Sequence, residues 1–399
     1  MAITVLSNLV DDSDIQASER VIDMAPEIAE LEKDLTQFTT MLMKVSSKAA
    51  FSSKVEWLED QLFPRLSTLA ASATSAAGTI TVATGEGAFF RKGDIVRVAT
   101  TGEAVAVSAA PSTDTVGIVR SWGTTAAASA ASGVDLVIIG NAAPQGGTLG
   151  VRKVTKRVAQ YNYCQIFRHP FGFTETLAAS KLYGGPEPQK ESRKKAVEHK
   201  RAIEYALFYG GRDVDTSVFS ATEPTFGMGG LLEFCGSNQV KDPSGAMTAT
   251  EFENFMRDGL QAGSENKILF AAPLVKQIIS SYARDNWVRS TPGQKLWGIP
   301  VDGFISGIYG DRIPVVVKRD WNEFQNTSSQ YGSWAFLVDM QSVVFRPLRS
   351  TKLLNDRQAN DADEKTSEYL TECSFQVEQA SPASGLGHHL IIKNATASV

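Results

Sequence analysis

Residues 190–211 read KESRKKAVEHKRAIEYALFYGG. The spacing predicts one long helix whose apolar face is Ala196, Ile203, Ala206 and Leu207, with the opposite face densely charged. Glu191 precedes Lys194 and Lys195 at helical spacing, which adds modest support. His199 falls among the charged positions and is expected in solvent. Gly210-Gly211 ends the helix, and the break Gly184-Gly185-Pro186-Glu187-Pro188 precedes it, giving a spine of about residues 188–209. The flanking segments read mostly as strands, so the chain is α+β.

Downstream, residues 223–344 alternate strand and helix. Thr248 with Glu251 forms a capping box ahead of Phe252, Phe255 and Met256. Lys267–Ala271 is a strand that leads into Pro273 and a helix with Leu274, Ile278 and Tyr282 on one face. Ile313–Val317 and Ala335–Val338 are uninterrupted apolar runs of the buried-strand type. Residues 343–349 and 371–393 supply further strands, and Asn355–Glu368 reads as a charged loop between them.

Upstream, Pro26 opens a helix in which Ile28, Leu31, Leu35, Phe38, Leu42 and Val45 recur every three or four residues. That stripe can dock on the chain's own core or on a neighbour. Ala/Ser/Thr-rich stretches at 70–77 and 124–132 mark off a different texture. It consists of short alternating runs at Thr79–Val82, Asp94–Ala99, Ala104–Val107, Val116–Arg120 and Val134–Ile139, separated by turns such as Arg91-Lys92-Gly93-Asp94. These describe a small all-β sandwich or barrel at about 72–140, inserted in a longer segment.

Composition excludes several classes. Net charge is −5, with 43% apolar and 21% charged residues, so the molecule as a whole has no footprint for nucleic acid. Cys164, Cys235 and Cys373 are few, odd in number and far apart, which argues for reduced core thiols. The start, Met1-Ala2-Ile3-Thr4, has no basic region followed by an apolar run, so no signal peptide is read, and no apolar stretch is long enough for a bilayer. Gly-x-Ser-x-Gly, HExxH and P-loop patterns are absent. Gly227-Met228-Gly229-Gly230 lacks a following GKS/T and reads as turn geometry; His388-His389 would matter chemically only if carboxylates converged on it. No enzyme, cofactor or metal is expected.

Charge is unevenly placed. Residues 1–60 carry 12 acids and 5 bases, whereas 151–201 carry 12 bases and 4 acids. Opposite fields on two segments suit pairing between subunits, though each can equally be a solvated face.

The order of parts carries a resemblance. Val55-Glu56-Trp57-Leu58-Glu59-Asp60 leads into the β module, and Tyr161-Asn162-Tyr163-Cys164-Gln165-Ile166-Phe167 returns from it. Glu204-Tyr205-Ala206-Leu207-Phe208-Tyr209-Gly210 ends the long helix, and Met228-Gly229-Gly230-Leu231-Leu232 opens the next region. Val338-Asp339, Phe345-Arg346-Pro347-Leu348-Arg349 and Ser374-Phe375-Gln376-Val377-Glu378 complete the series. In this order they resemble tailed-bacteriophage major capsid proteins of the Hong Kong 97 fold, in the branch with a β module inserted in its extended loop.

The polar, acidic start of the chain suits an N-terminal arm (1–52) ordered by a neighbour, which would also mean that no propeptide is missing ahead of it. The resemblance implies an extended loop (53–180), a peripheral domain (181–222 and 343–399) and an axial domain (223–342). The implied function is a non-enzymatic subunit of an icosahedral head around double-stranded DNA, without sequence-specific contact to it. Its partners would be copies of itself in hexamers and pentamers, with scaffold, portal and cement proteins as further candidates, and no membrane. It would be made in the bacterial cytoplasm and located in the virion. An encapsulin-like nanocompartment shell is the alternative; an enzyme built on 223–342 is a weaker one. Glu56, Trp57, Arg152, Lys153, Arg157 and Arg168 are the candidate inter-subunit residues, since aromatics and arginines anchor interfaces. Packing within one subunit stays open for them.

Overall fold

The computed structural model describes residues 36–147, 150, 152–180, 187–217, 222–243, 245–282, 287–288, 295–296, 299–300, 302–305, 312–324, 331–378 and 387–396. The arm's first 35 residues, and with them Ile28, Leu31 and Leu35 of the expected stripe, lie outside the described residues.

The spine helix runs Glu187–Tyr209. Its C-terminal half supplies Ile203, Leu207 and Phe208 to the main core, each at most 1% exposed. Phe208 is a hub. Its ring lies 4.6 Å from Phe38, 5.7 Å from Phe270 and 5.1 Å from both Trp321 and Phe336. Phe38 belongs to the short helix Gln37–Val45, so that helix is docked on its own chain. Each such buried ring contributes roughly 2–3 kcal/mol through the area it removes from water.

A seven-stranded sheet forms the centre of that core, in the order Val240–Lys241, Leu390–Ile392, Ala335–Asp339, Lys267–Ala271, Arg312–Val317, Asp302–Ile305 and Trp287–Val288. The two middle strands, Lys267–Ala271 and Ala335–Asp339, are buried at every position. They are covered on both faces, which is why their sequences do not alternate. Leu390–Ile392 comes from the far end of the chain and pairs antiparallel with Ala335–Leu337.

A second sheet has three long antiparallel strands. Glu364–Val377 is central, paired with Gln165–Thr174 on one side and Val343–Leu354 on the other. Val343–Leu354 runs past the expected 343–349, and Glu364–Val377 starts ahead of the expected 371–393 and stops short of its end, so only residues 355–363 remain as the loop. The central strand is exposed at Glu364 and buried throughout from Leu370 to Val377, so it passes from surface to core.

Six strands, Leu66–Thr68, Thr79–Thr81, Asp94–Val98, Ala104–Val107, Thr115–Val119 and Asp135–Asn141, make the third major sheet. Its two ends meet. Leu69 bridges Val82, the Ala70 N–H donates to Thr81 O and the Ala83 N–H donates to Thr68 O, both at 2.9 Å. The sheet therefore closes as a barrel around its own core of Leu69, Phe90, Val96, Val105, Val116 and Leu136. It begins at Leu66, ahead of residue 72. Glu103, fully buried, holds Arg120 and the amides of Ser121 and Ala128. That network pins the Ala/Ser/Thr-rich stretch across the barrel. Burial opposes the Glu103 charge, but Arg120 and the two amides outweigh it and hold the carboxyl below its ordinary range.

Candidate interaction surfaces and buried charge sites

An antiparallel ribbon, Lys54–Glu59 with Val158–Tyr163, connects the main core to the barrel. Its period of two sends Val55 and Trp57 inward and Lys54, Glu56 and Leu58 outward. Asn162 fastens its root: its Nδ2 donates to Gly229 O at 2.9 Å and Phe375 O at 2.6 Å, and its Oδ1 accepts from Gly229 N at 2.8 Å. Arg212 adds a hydrogen bond to Tyr161 O at 2.9 Å and lies over the Tyr161 ring.

The six candidate interface residues fall along this ribbon, its connector and the adjoining strand. Trp57 is 8% exposed, packs 5.7 Å from Phe234 and donates its Nε1–H to Glu59 at 2.9 Å. Lys153 donates to the carbonyls of Ala88 and Phe90, fastening the returning connector to the barrel. Burial pulls its amine below the ordinary lysine range. Arg168 makes a two-pronged pair with Glu368 at 3.0 and 2.9 Å. These three are engaged inside the subunit. Glu56 pairs with Lys54 at the surface, Arg157 with Asp60 at 3.6 Å, and Arg152 is exposed.

Arg152 and Lys153 line a groove of about 1100 Å³ between the connectors and the barrel, together with Leu62, Phe63, Phe89 and Val154. Leu62 is 94% and Val154 90% exposed.

Three groups of ionisable side chains are buried against expectation. The first joins Glu204, Lys318 and Asp320, all under 5% exposed. Lys318 pairs with Glu204 and lies 3.5 Å from Asp320. The Glu204 carboxylate also accepts the N–H groups of Phe38 at 3.2 Å and Thr39 at 3.0 Å. Those are the otherwise unpaired amides at the positive end of helix Gln37–Val45, so an anion there is favoured. The signal was a carboxylate on the apolar side of the long helix, one residue after Ile203 and three before Leu207.

The second group ends helix Ala249–Leu260. Lys267, 1% exposed, donates to the carbonyls of Gly259 and Ala262 at 2.5 Å each and His388 at 2.8 Å. Burial lowers its pKa to about 8 although Asp339 opposes the shift. Asp339 accepts from Ser264 N and Oγ, Gln341 N and Ser342 Oγ at 2.6–3.1 Å. Burial disfavours its charge, yet those donors hold the carboxyl low. Its own N–H donates to His389 Nδ1 at 3.1 Å. A carboxylate thus does converge on His388-His389, but its lone pairs are taken by serine and backbone donors. Among the described residues no group of three His, Cys, Asp or Glu could hold a metal ion.

The third group corrects an expectation. His199 is not solvated: it is 1% exposed, with Nδ1 2.9 Å from His169 Nδ1 and Nε2 2.7 Å from Thr371 Oγ1. Burial, then His169, pushes its pKa down to about 4. The Gly227–Gly230 stretch also differs in cause. None of its glycines has a positive φ. A Cβ on Gly230 would lie 2.6 Å from Ala206 O, so close packing on the end of the spine helix requires the glycine.

A family model described as SU10 major capsid protein matches residues 6–390. No curated protein matches. Among solved structures, one from Mycobacterium phage Bobi aligns at TM-score 0.50 and 11% identity, over 97% of this chain and 99% of that one. The capsid of Myoviridae phage XM1 gives 0.44 and 10%, over 96% and 99%. The holo-SrpI encapsulin complex from Synechococcus elongatus PCC 7942 gives 0.43 and 10%, over 61% and 79%.

Proposed function

The chain belongs to the SU10 major capsid protein family, and from that premise we propose that it builds the icosahedral head around phage double-stranded DNA on a Hong Kong 97-type plan. Its role as a major capsid protein is structural. In the proposed plan the ribbon, its connectors and the barrel form the extended loop reaching toward an adjacent subunit. The spine helix and the three-stranded sheet form the peripheral domain. The seven-stranded sheet forms the axial domain, with Leu390–Ile392 crossing back into it. Copies meet as hexamers and pentamers, and scaffold, portal and cement proteins are the further partners. Assembly takes place in the host cytoplasm and the product is the virion shell. Packaged DNA meets a wall of net charge −5 that does not grip it in any sequence-specific way.

The single observation that carries this reading is the family match, which spans both the main core and the barrel. The physical logic is that of many modest contacts. Each interface is weak alone, and closure of a symmetric shell makes them collectively hard to reverse. Exposed Glu56, Arg152 and Arg157 are the candidate contacts between copies. Electron microscopy of the purified chain tests the reading: closed particles or capsomer rings are expected. Monomers at every concentration and salt would overturn it, and a DNA-free shell loaded with an enzyme would turn it toward a nanocompartment.

A further inference from the structure

We propose that Lys318 and Asp320 become joined by an isopeptide bond inside the folded subunit, with Glu204 relaying the proton. The bond lies within one chain and needs no assembly.

The turn that ends strand Arg312–Val317 brings the three side chains together. The Lys318 N–H donates to Ala271 O at 2.9 Å, which keeps its backbone in line with the sheet. Its carbonyl accepts from the Trp321 N–H at 3.3 Å and so closes the first turn of the 3-10 segment Arg319–Phe324. That turn folds Asp320 back over the amine. Glu204 meets the same amine from the spine helix. Side-chain exposure is 0% for Lys318, 3% for Glu204 and 4% for Asp320.

Two carboxylates share one ammonium here, and they are not equivalent. Glu204 also holds the Phe38 and Thr39 amides at the positive end of a helix. Among the described residues Asp320 Oδ1 is buried and accepts no hydrogen bond. A buried carboxylate oxygen in that state costs stability. Conversion to an amide removes the ammonium and the Asp320 charge from a place without water, while Glu204 keeps its backbone donors. The amine lies 3.5 Å from the Asp320 oxygen, at the edge of the roughly 3–3.5 Å range of near-attack contacts. Exclusion of water also withholds the reactant that would hydrolyse the product.

In the step, Glu204 takes a proton from the Lys318 ammonium, and the freed Nζ lone pair attacks Asp320 Cγ. The Nζ–Cγ bond forms, one Cγ–O bond breaks, and that oxygen departs as water. Of the three ammonium protons, one stays on the amide nitrogen and two leave with the water. One of those two travels by way of Glu204, which ends as it began. No oxidant or cofactor is consumed. Tyr205 lies beside the same carboxyl, and burial, then Asp320, push its pKa up to about 12. Its hydroxyl therefore keeps its proton and can donate to the oxygen on which charge develops.

The test is the mass of the purified full-length chain, denatured after folding. Most molecules should be lighter than the sequence by one water, removal of Met1 aside. Trypsin should leave Lys318 uncut and keep residues 313–319 joined to the peptide that starts at Asp320. Fragmentation should place the loss on Lys318 and Asp320. Glu204→Gln keeps the size and loses the proton acceptor, so that chain should have its full mass, as should Lys318→Arg. The wild-type peptide map decides even where a variant does not fold. Folded wild-type chain at full sequence mass would overturn the proposal. So would a water loss that maps elsewhere or persists in Lys318→Arg, the mark of a cyclic imide at another aspartate or asparagine.

Discussion

Glu204 and Lys318 pair where neither has more than a trace of water, with Asp320 3.5 Å from Lys318 and the Phe38 and Thr39 amides on Glu204. Removing Glu204 takes the closer counter-charge from buried Lys318 and the acceptor from the Phe38 and Thr39 amides. Glu204→Ala should therefore cost about 3–5 kcal/mol in urea unfolding of the unassembled subunit, and Glu204→Ala with Lys318→Met should cost less than the sum of the single changes. The buried histidines give a second outcome at this scale. His199 titrates near 4 and His389 near 3, against an ordinary 6.5. Between those values the unfolded chain binds protons that the folded chain does not. Stability is thus present above pH 6.5 and is lost as pH falls toward 4, by about 2–3 kcal/mol for His199. Thermal melts at pH 7 and pH 4.5 should show this loss, and His199→Asn should shrink it. A pH-independent midpoint would refute the assignment. None of these groups declared itself in the sequence, because a charged side chain on a helix face or at a strand start is ordinarily in water.

Elements were legible where a local rule decides them. The alternation at Asp94–Ala99, Ala104–Val107 and Val116–Arg120 corresponds to strands 94–98, 104–107 and 115–119. The capping box at Thr248 is present, with Thr248 Oγ1 accepting the Glu251 N–H at 3.2 Å and Glu251 accepting the Thr248 N–H at 2.8 Å. Thr248→Ala should cost about 1 kcal/mol by calorimetry and leave assembly unchanged. The far end of the same helix was not legible. Its stop is Lys267, whose amine reaches back from the next strand. Likewise, strands 343–354 and 364–377 reach toward and into the stretch 355–368 that reads as a loop in the sequence, since their outer halves are polar and are held by pairing with distant partners.

Among the described residues the two largest apolar cores are separate and joined by a ribbon with a small cluster of its own at Val55, Trp57 and Cys164, which implies separable stability. The barrel's entry and exit are adjacent: the Ile138 N–H donates to Arg65 O at 2.8 Å. Replacing residues 66–137 with a two- or three-residue glycine-serine linker should leave one cooperative melt of the main core, read by near-ultraviolet circular dichroism. Particle formation or particle size should be impaired. Global unfolding of that variant would show that the barrel belongs to the folding unit.

By itself the sequence determined the long charged helix, the apolar strands of the seven-stranded sheet, the alternating strands of the insertion and the order of parts that marks a capsid subunit. The first three follow from periodicity or composition within a few residues of chain; the last rests on a resemblance carried by the order of segments along the whole chain. Only the tertiary structure decided that the insertion closes as a barrel, that Leu390–Ile392 enters the central sheet, and that Glu204, Lys267 and His199 are buried. Those outcomes depend on which distant groups offer a hydrogen bond or a counter-charge in a place without water, and nothing local in the chain records that choice.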